Sequence, residues 1–375
     1  MSSSLYSNLM ALPGLSEAFY FKDYEVNNST YRVFNYRLAS YTEFLLPDAL
    51  EARGITFLIK IAGEEVQPEP ILVSRPFKKF FNLNENPFTM NLPLKEDGYI
   101  TSITDKADGS LISTYWNPIT EEFGVKSKQD FFSEQSVMAT EWLNREENQD
   151  FKTEIKLWAI KGSTVMIELV SPLNRIVIQY PKTELRLIGI RDNETGALFT
   201  LGHRAVLKGS WVKTYDVYPE DAPARFIELL PQQTGIEGIV CITRDGMMFK
   251  VKTEWYQALH HLKDSVTNPK ALFEAIILET TDDLKAMFYD SEEMLGVIAA
   301  MEEKVIPKFN HVVSTVSKFY ESNKALERKE YAIKGMAELG NLFSLAMAKY
   351  LERPVDFKEF AIKRREEVFG VRGDD

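Results

Sequence analysis

Lys106-Ala107-Asp108-Gly109-Ser110 decides how this chain is read. Two strand-like runs flank it, Tyr99 to Thr104 and Leu111 to Trp116, both rich in β-branched and aromatic residues. Asp-Gly-Ser is turn chemistry, so the lysine is presented at a strand end, where it suits a position facing a phosphate. A lysine attacks phosphorus only as the free amine, so its ordinary pKa of about 10.4 must then fall. A pattern this short arises by accident in roughly one per cent of chains of this length. Its weight depends on what stands elsewhere.

The chain has 375 residues, more than one core usually holds, which predicts two domains. With 45% hydrophobic and 26% charged residues it has the composition of an ordinary soluble globular protein. No run of about 18 apolar residues could cross a membrane, and the polar start MSSSLYSNLM lacks the apolar core of a signal peptide. Cys241 is the single cysteine, which excludes internal disulfides and cysteine-rich zinc sites. The histidines, His203, His260, His261 and His311, form no ligand pattern. A cytoplasmic protein is expected. The net charge of −11 argues mildly against nucleic acid, so a polyanion would have to be held by a local groove.

Up to about Lys252 the chain reads as β-rich. Strands are predicted over Gly54 to Lys60, Pro70 to Ser74, Thr164 to Val170, Arg175 to Tyr180 and Leu185 to Ile190, besides the two named above. Gly238 to Ile242 and Met248 to Lys252 flank Arg244-Asp245-Gly246, a hairpin signal. A helix is predicted from Asp130 to Glu146. This is an α+β pattern with antiparallel neighbours rather than a doubly wound sheet. From Trp255 the period turns helical, as in Val312, Val316 and Phe319, with Pro269, Pro307 and Pro354 expected to break the tail into several helices. An all-α domain over 255–375 is expected after the first domain, 1–254.

Attack on a nucleoside triphosphate needs cations around the phosphates, acids for a divalent metal and a pocket for the nucleoside. Several segments could supply them. Glu51-Ala52-Arg53-Gly54 sets an arginine before a strand, and Ser74 to Asn82 interleaves Arg75, Lys78 and Lys79 with Phe77, Phe80 and Phe81. Glu168 and Glu237 each put a carboxylate among aliphatic neighbours, where an unpaired charge is costly. Lys250 and Lys252 alternate on one strand face. Each has an ordinary structural reading: a surface ion pair for Arg53, edge protection for the strand lysines. Their common order around Lys106 is what favours a site.

Taken in that order, the segments resemble the ATP-dependent phage RNA ligases of the tRNA-repair type, the RNA ligase 1 family of covalent nucleotidyltransferases. Tyr31 to Tyr41, Ser74 to Met90, Asn174 to Tyr180 and Asp282 to Met287 are similar to the family as well. The resemblance implies an antiparallel-sheet nucleotidyltransferase (adenylation) domain and a helical domain that helps select RNA. It makes Lys106 the nucleophile that becomes AMP-lysine, with Asp108 and Gly109 shaping the site. Arg53 would contact the nucleotide, Tyr36 and Lys79 would grip the ATP tail, and Lys250 and Lys252 would bracket the α-phosphate. Glu168 and Glu237 would hold metal and touch the ribose, and Asp282 and Asp283 resemble an acidic pair associated with a divalent ion. The positive charge of Lys250 and Lys252 offers a route to a lowered Lys106 pKa. Gln129 stands where the family has glycine, which puts that turn in question.

The implied reaction joins 5′-phosphate and 3′-hydroxyl RNA ends, with nicked tRNA as the target, ATP as co-substrate and Mg²⁺, or Mn²⁺ in its place, as metal. A monomer without membrane partner, in the host cytoplasm if phage-encoded, is expected. DNA ligases and capping enzymes are the rivals. They follow the last lysine motif with a β-barrel, whereas this chain turns helical. A passive RNA- or nucleotide-binding protein would not need Lys106.

Overall fold

The computed structural model describes residues 2–174, 178, 180–199, 211–218, 222–259, 268–288 and 292–372. The chain divides into two compact units, one of residues 1–36 and 40–260, the other of 37–39 and 261–375. His203, His260 and His261, and most of the strand predicted over 175–180, lie outside the described residues.

The first unit opens with α1 (Ser2–Leu15), then β1 (Phe19–Val26), β2 (Ser29–Tyr36), β3 (Ile55–Ile61), β4 (Glu64–Glu65), β5 (Ile71–Ser74) and β6 (Phe81–Asn82). β7 (Ile100–Lys106), β8 (Ser110–Asn117) and β9 (Glu122–Ser127) lead to α2 (Glu134–Asn144) and α3 (Gln149–Ile160). β10 (Ser163–Val170), β11 (Glu184–Asp192), β12 (Thr214–Tyr215), α4 (Ala222–Leu229), β13 (Gly238–Thr243), β14 (Met248–Lys252) and α5 (Glu254–Leu259) complete it. Three sheets result: β1-β2-β3-β4 with β5 on β3, β11-β10-β8-β9, and β12-β7-β13-β14-β6. All pairings are antiparallel except β14 with β6. The predicted α+β class holds.

Local chemistry explains the connections. Asn27 and Asn28, both with positive φ, make the tight turn of the β1–β2 hairpin. Neither β1 nor β2 is among the strands predicted from the sequence. Arg244-Asp245-Gly246 turns β13 into β14, with Gly246 at φ +78°. The helix predicted from Asp130 starts later, at Glu134. Asp130 Oδ1 accepts the Phe132 N–H at 2.7 Å and Ser133 caps α2 by accepting from Ser136 N. That helix ends at Asn144, and α3 forms a separate one.

The second unit is helical: α6 (Pro269–Ile277), α7 (Thr281–Met287), α8 (Glu292–Asn323), α9 (Arg328–Leu339), α10 (Phe343–Tyr350) and α11 (Phe357–Lys363). Pro269 starts α6 and Pro354 separates α10 from α11, but Pro307 lies inside the 32-residue α8 and does not end it. Pro307 is on the exposed face, while Val305, Phe309, Val312, Val313, Val316 and Phe319 of the same helix are buried against Leu272, Phe273 and Ile276 of α6 and Leu345 of α10. Each such side chain contributes roughly 1.5–3 kcal/mol of burial, enough together to outweigh the ~3 kcal/mol cost of one interior proline.

Candidate active site

Strand register assembles the lysines. On the central sheet, Gly238 of β13 faces Lys106 of β7 on one side and Lys252 of β14 on the other. Val240 likewise sits between Thr104 and Lys250. Alternation does the rest: Ile103, Ile239, Cys241 and Phe249 point into a buried core. Thr104, Val240, Ile242 and Met248 line a cavity on the opposite face. Lys106 ends β7, and the Ala107-Asp108-Gly109 turn carries the chain into β8 of the neighbouring sheet. The motif is therefore a bridge between two sheets.

Gly109 is required at that bridge, because a Cβ there would come within 2.3 Å of the Leu169 carbonyl and 3.1 Å of the Glu168 side chain. Asp108 is buried behind it. Its Oδ2 accepts the Ile178 N–H at 2.7 Å and its Oδ1 the Tyr256 hydroxyl at 3.0 Å, while its own N–H donates to the Tyr180 hydroxyl at 3.1 Å. These bonds fix the turn, and Asp108 does not line the cavity.

Glu237, one residue before β13, is almost wholly buried, and its Oε1 lies 2.6 Å from Lys106 Nζ and 3.3 Å from Lys252 Nζ. Burial works to raise its pKa, but Lys106, Lys252 and Lys250 outweigh that and hold it below the ordinary carboxylate value. Its other oxygen, Oε2, is buried with no hydrogen-bond partner among the described residues. Lys106 is thus gripped by a carboxylate, Glu237, which the sequence reading assigns to metal and ribose rather than to the lysine. Glu168 in β10 has its pKa pushed up to about 7 by burial, opposed by Lys106 and Arg53 and assisted by the Glu237 charge. One carboxylate is held ionised beside another that tends to keep its proton.

The cavity in front of Lys106 measures about 650 Å³, within the ordinary size of a small-ligand site. Lys106, Arg53, Glu168, Phe77, Phe80 and Lys128 are among its walls. Phe77 packs over Gly189 of β11, where a Cβ would come within 2.4 Å of the ring. The Arg53 guanidinium lies 5.5 Å from the centre of the Phe80 ring. Lys79 Nζ lies 5.8 Å from the centre of the Tyr36 ring and 4.9 Å from that of Phe81. Lys128 faces Tyr36 from 5.3 Å. Its aromatic rings, the cations Arg53, Lys106 and Lys128 and the Glu168 carboxylate are suited to a nucleoside with a charged phosphate tail, whereas Tyr36, Lys79, Glu237, Lys250 and Lys252 are not among its walls.

Asp282 and Asp283 belong to the first turn of α7 in the helical unit. Among the described residues no group of three or more His, Cys, Asp or Glu could hold a metal ion. Any ion on Glu168 and Glu237 would draw the rest of its shell from ligand oxygens and water. Sequence reasoning missed three residues here. Tyr256 anchors Asp108, and its ring lies 5.1 Å from Lys252 Nζ. Lys126 is fully buried, with Nζ donating to Ser127 O at 3.1 Å, and burial lowers its pKa to about 7. Glu51 is buried between two arginines.

Residues 51–256 match the family model described as RNA ligase, and residues 263–370 match that of the T4 RNA ligase 1 C-terminal domain. The chain belongs to the T4 RNA ligase 1 family. The first match spans Arg53, Lys79, Lys106, Glu168, Glu237, Lys250 and Lys252. The "Putative RNA ligase" of Thermovibrio ammonificans is 30% identical over 263 residues, 67% of this chain and 64% of that protein. "RNA ligase 1" of Bacteriophage TS2126 is 23% identical over 278 residues, 72% of this chain and 66% of that one. The chain thus spans slightly less than two thirds of the length of these relatives. Among solved structures, an archaeal ATP-dependent RNA ligase aligns over 86% of this chain and 84% of its own, with 13% identity and a TM-score of 0.47. A Naegleria gruberi RNA ligase with PPi aligns over 54% and 65%, with 16% identity and a TM-score of 0.38.

The turn at Gln129, which the sequence resemblance had put in question, needs no left-handed backbone: Gln129 is absent from the positive-φ residues. Its carbonyl accepts the Tyr24 hydroxyl at 2.8 Å, and Gln129 lines the cavity rim. The exchange of glycine for glutamine therefore carries no backbone strain.

Proposed function

We propose that this chain seals RNA at the expense of ATP through a covalent lysine–AMP. The observation that carries this reading is Lys106 at the mouth of a nucleotide-sized cavity, within 2.6 Å of Glu237, in register with Lys252. In the first step Lys106 Nζ gives up a proton and its lone pair forms a bond to the α-phosphorus, while the bond to pyrophosphate breaks. Lys250 and Lys252 offset charge on the α-phosphate, and Arg53 orients it. In the second step an oxygen of an RNA 5′-phosphate attacks that phosphorus, the P–N bond breaks and a 5′-adenylylated end forms. In the third a 3′-hydroxyl attacks the RNA phosphorus, loses its proton and expels AMP. Tyr36 and Lys79 would hold the triphosphate tail in the first step.

A divalent ion fits Glu237 and Glu168: the first has a buried oxygen without a hydrogen-bond partner among the described residues, and burial raises the pKa of the second, a penalty that a bound cation would offset. Bound there, Mg²⁺ or Mn²⁺ would neutralise phosphate charge. Drawing Glu237 to that ion would free Lys106 for attack. The RNA in this reading is a nicked tRNA, selected with the help of the helical unit, whose residues 263–370 match the T4 RNA ligase 1 C-terminal domain, and Asp282 and Asp283 stand near an ion of their own. The domain reading assigns 1–254 to adenylation and 255–375 to RNA selection, in a monomer acting in the cytoplasm. No helix among the described residues is long and apolar enough to cross a membrane.

The test is intact-protein mass after incubation with ATP and Mg²⁺. Wild type should gain one AMP and Lys106→Ala none, with sealing of 5′-phosphorylated RNA lost in the variant. Sealing that survives Lys106→Ala would sink the reading.

A further inference from the structure

Glu51 stands two residues before Arg53 in a single 3-10 turn, its side chain almost fully buried. Arg191 meets it with two prongs, Nη1 to Oε2 and Nη2 to Oε1, each at 2.7 Å. Arg75 Nη2 donates to Oε1 at 2.8 Å, and Lys78 Nζ stands 3.7 Å from the same oxygen. A buried ion triad seldom adds stability over apolar side chains of the same volume. The cluster calls for another reason.

That reason lies in what the two guanidinia hold. Arg191 also donates to Pro76 O at 2.6 Å and to Gly196 O at 2.8 Å. Arg75 donates to Asn193 O at 2.9 Å and Glu194 O at 3.1 Å. Gly196, at φ +72°, lets the turn approach, since a Cβ there would lie 2.7 Å from the Arg75 guanidinium carbon. Lys79 N–H donates to Leu50 O at 2.8 Å, tying the same two segments again. Glu51 thus fastens together the turn ending in Arg53, the segment carrying Phe77 and Phe80, and the end of β11 just beyond Ile188. All four of those residues wall the cavity.

We propose that Glu51 is a positioning residue for nucleotide transfer, setting Arg53 against Phe77 and Phe80 through Arg75 and Arg191. The inference rests on the ligase reading above and adds to it a residue outside the cavity. Glu51→Gln keeps the volume and removes the charge that both guanidinia grip. Displacement of Arg53 by about 1 Å is enough to lower a rate on the order of 10²-fold.

The experiment is a double-mutant cycle on the rate of lysine–AMP formation: wild type, Glu51→Gln, Arg53→Ala and the pair, at low and saturating ATP, with thermal midpoints. If Glu51 acts through Arg53, Glu51→Gln alone slows adenylylation on the order of 10²-fold but changes the rate by less than about twofold once Arg53 is alanine. Effects that multiply in the double variant would overturn the inference and leave Glu51 a stabilising residue. Should Glu51→Gln fail to fold, Arg75→Lys enters the same cycle, keeping a cation by Glu51 while losing the fork to Asn193 and Glu194. A wild-type chain forming no adduct overturns the ligase reading itself, which separates the two failures.

Discussion

Two buried carboxylate centres in the first unit are built from the same charges and differ in how they are closed. At Glu51 both oxygens are taken up, by the two-pronged fork of Arg191 and a further bond from Arg75 to Oε1. Burial works to raise that carboxyl, but the hydrogen bonds and charges of Arg191 and Arg75 drive its pKa down to about 2. At Glu237 the partners are lysines, point charges on flexible stems, and one buried oxygen has no hydrogen-bond partner among the described residues. Arginine forks make framework; lysines around an open carboxylate leave capacity for a ligand.

The contrast is broken most sharply at Glu237. Glu237→Gln should lower the rate of AMP transfer on the order of 10²–10³-fold, the cost of losing one preorganised electrostatic contact. Mass-resolved single-turnover adenylylation measures it. An effect below tenfold would place Glu237 with the framework.

Asp108 tests the boundary between the two kinds of centre, since it sits in the lysine motif but holds backbone and hydroxyl rather than ligand. Asp108→Ala strands the Ile178 N–H and the Tyr256 hydroxyl in a buried place. Roughly 2–3 kcal/mol of stability should be lost in urea unfolding. A loss of adenylylation at unchanged stability would mean instead that Asp108 works on the chemistry.

Much of this was legible where the signal is local. Lys106 before Asp-Gly-Ser read as a strand-end lysine, and Lys250 and Lys252 read as one strand face, because period and turn chemistry act over a few residues. The ion pair of Lys106 with Glu237 was not legible, since it depends on strand register between distant segments. Nor was the Glu51 cluster, whose main partner is 140 residues away. Pro307 misled for a related reason: the helix rule is local, and the buried face of α8 overrode it. The sequence reading does not single out Lys126, yet the folded chain buries it fully, with Nζ 6.0 Å from the centre of the Phe131 ring.

The finest difference between the centres is the sign of their pH dependence, measured without nucleotide or metal. Glu51 is held ionised down to about pH 2, so its contribution is fully present above the unfolded value of 4.5 and is lost as pH falls through about 2. Glu168 is the reverse. Folded, it keeps its proton up to about 7, whereas unfolded it releases it near 4.5. Between those values the folded chain binds more protons than the unfolded one, so the contribution of Glu168 falls as pH rises and then levels off. Glu168→Gln should therefore gain roughly 3 kcal/mol over wild type at pH 8 and almost nothing at pH 4. Glu51→Gln should lose stability by about the same amount at pH 5 and pH 8. Urea unfolding at those pH values checks both. A Glu168 variant whose advantage did not grow with pH would show that solvent already relieves the charge, and would remove the distinction between an open carboxylate waiting for a cation and one that has found its partner.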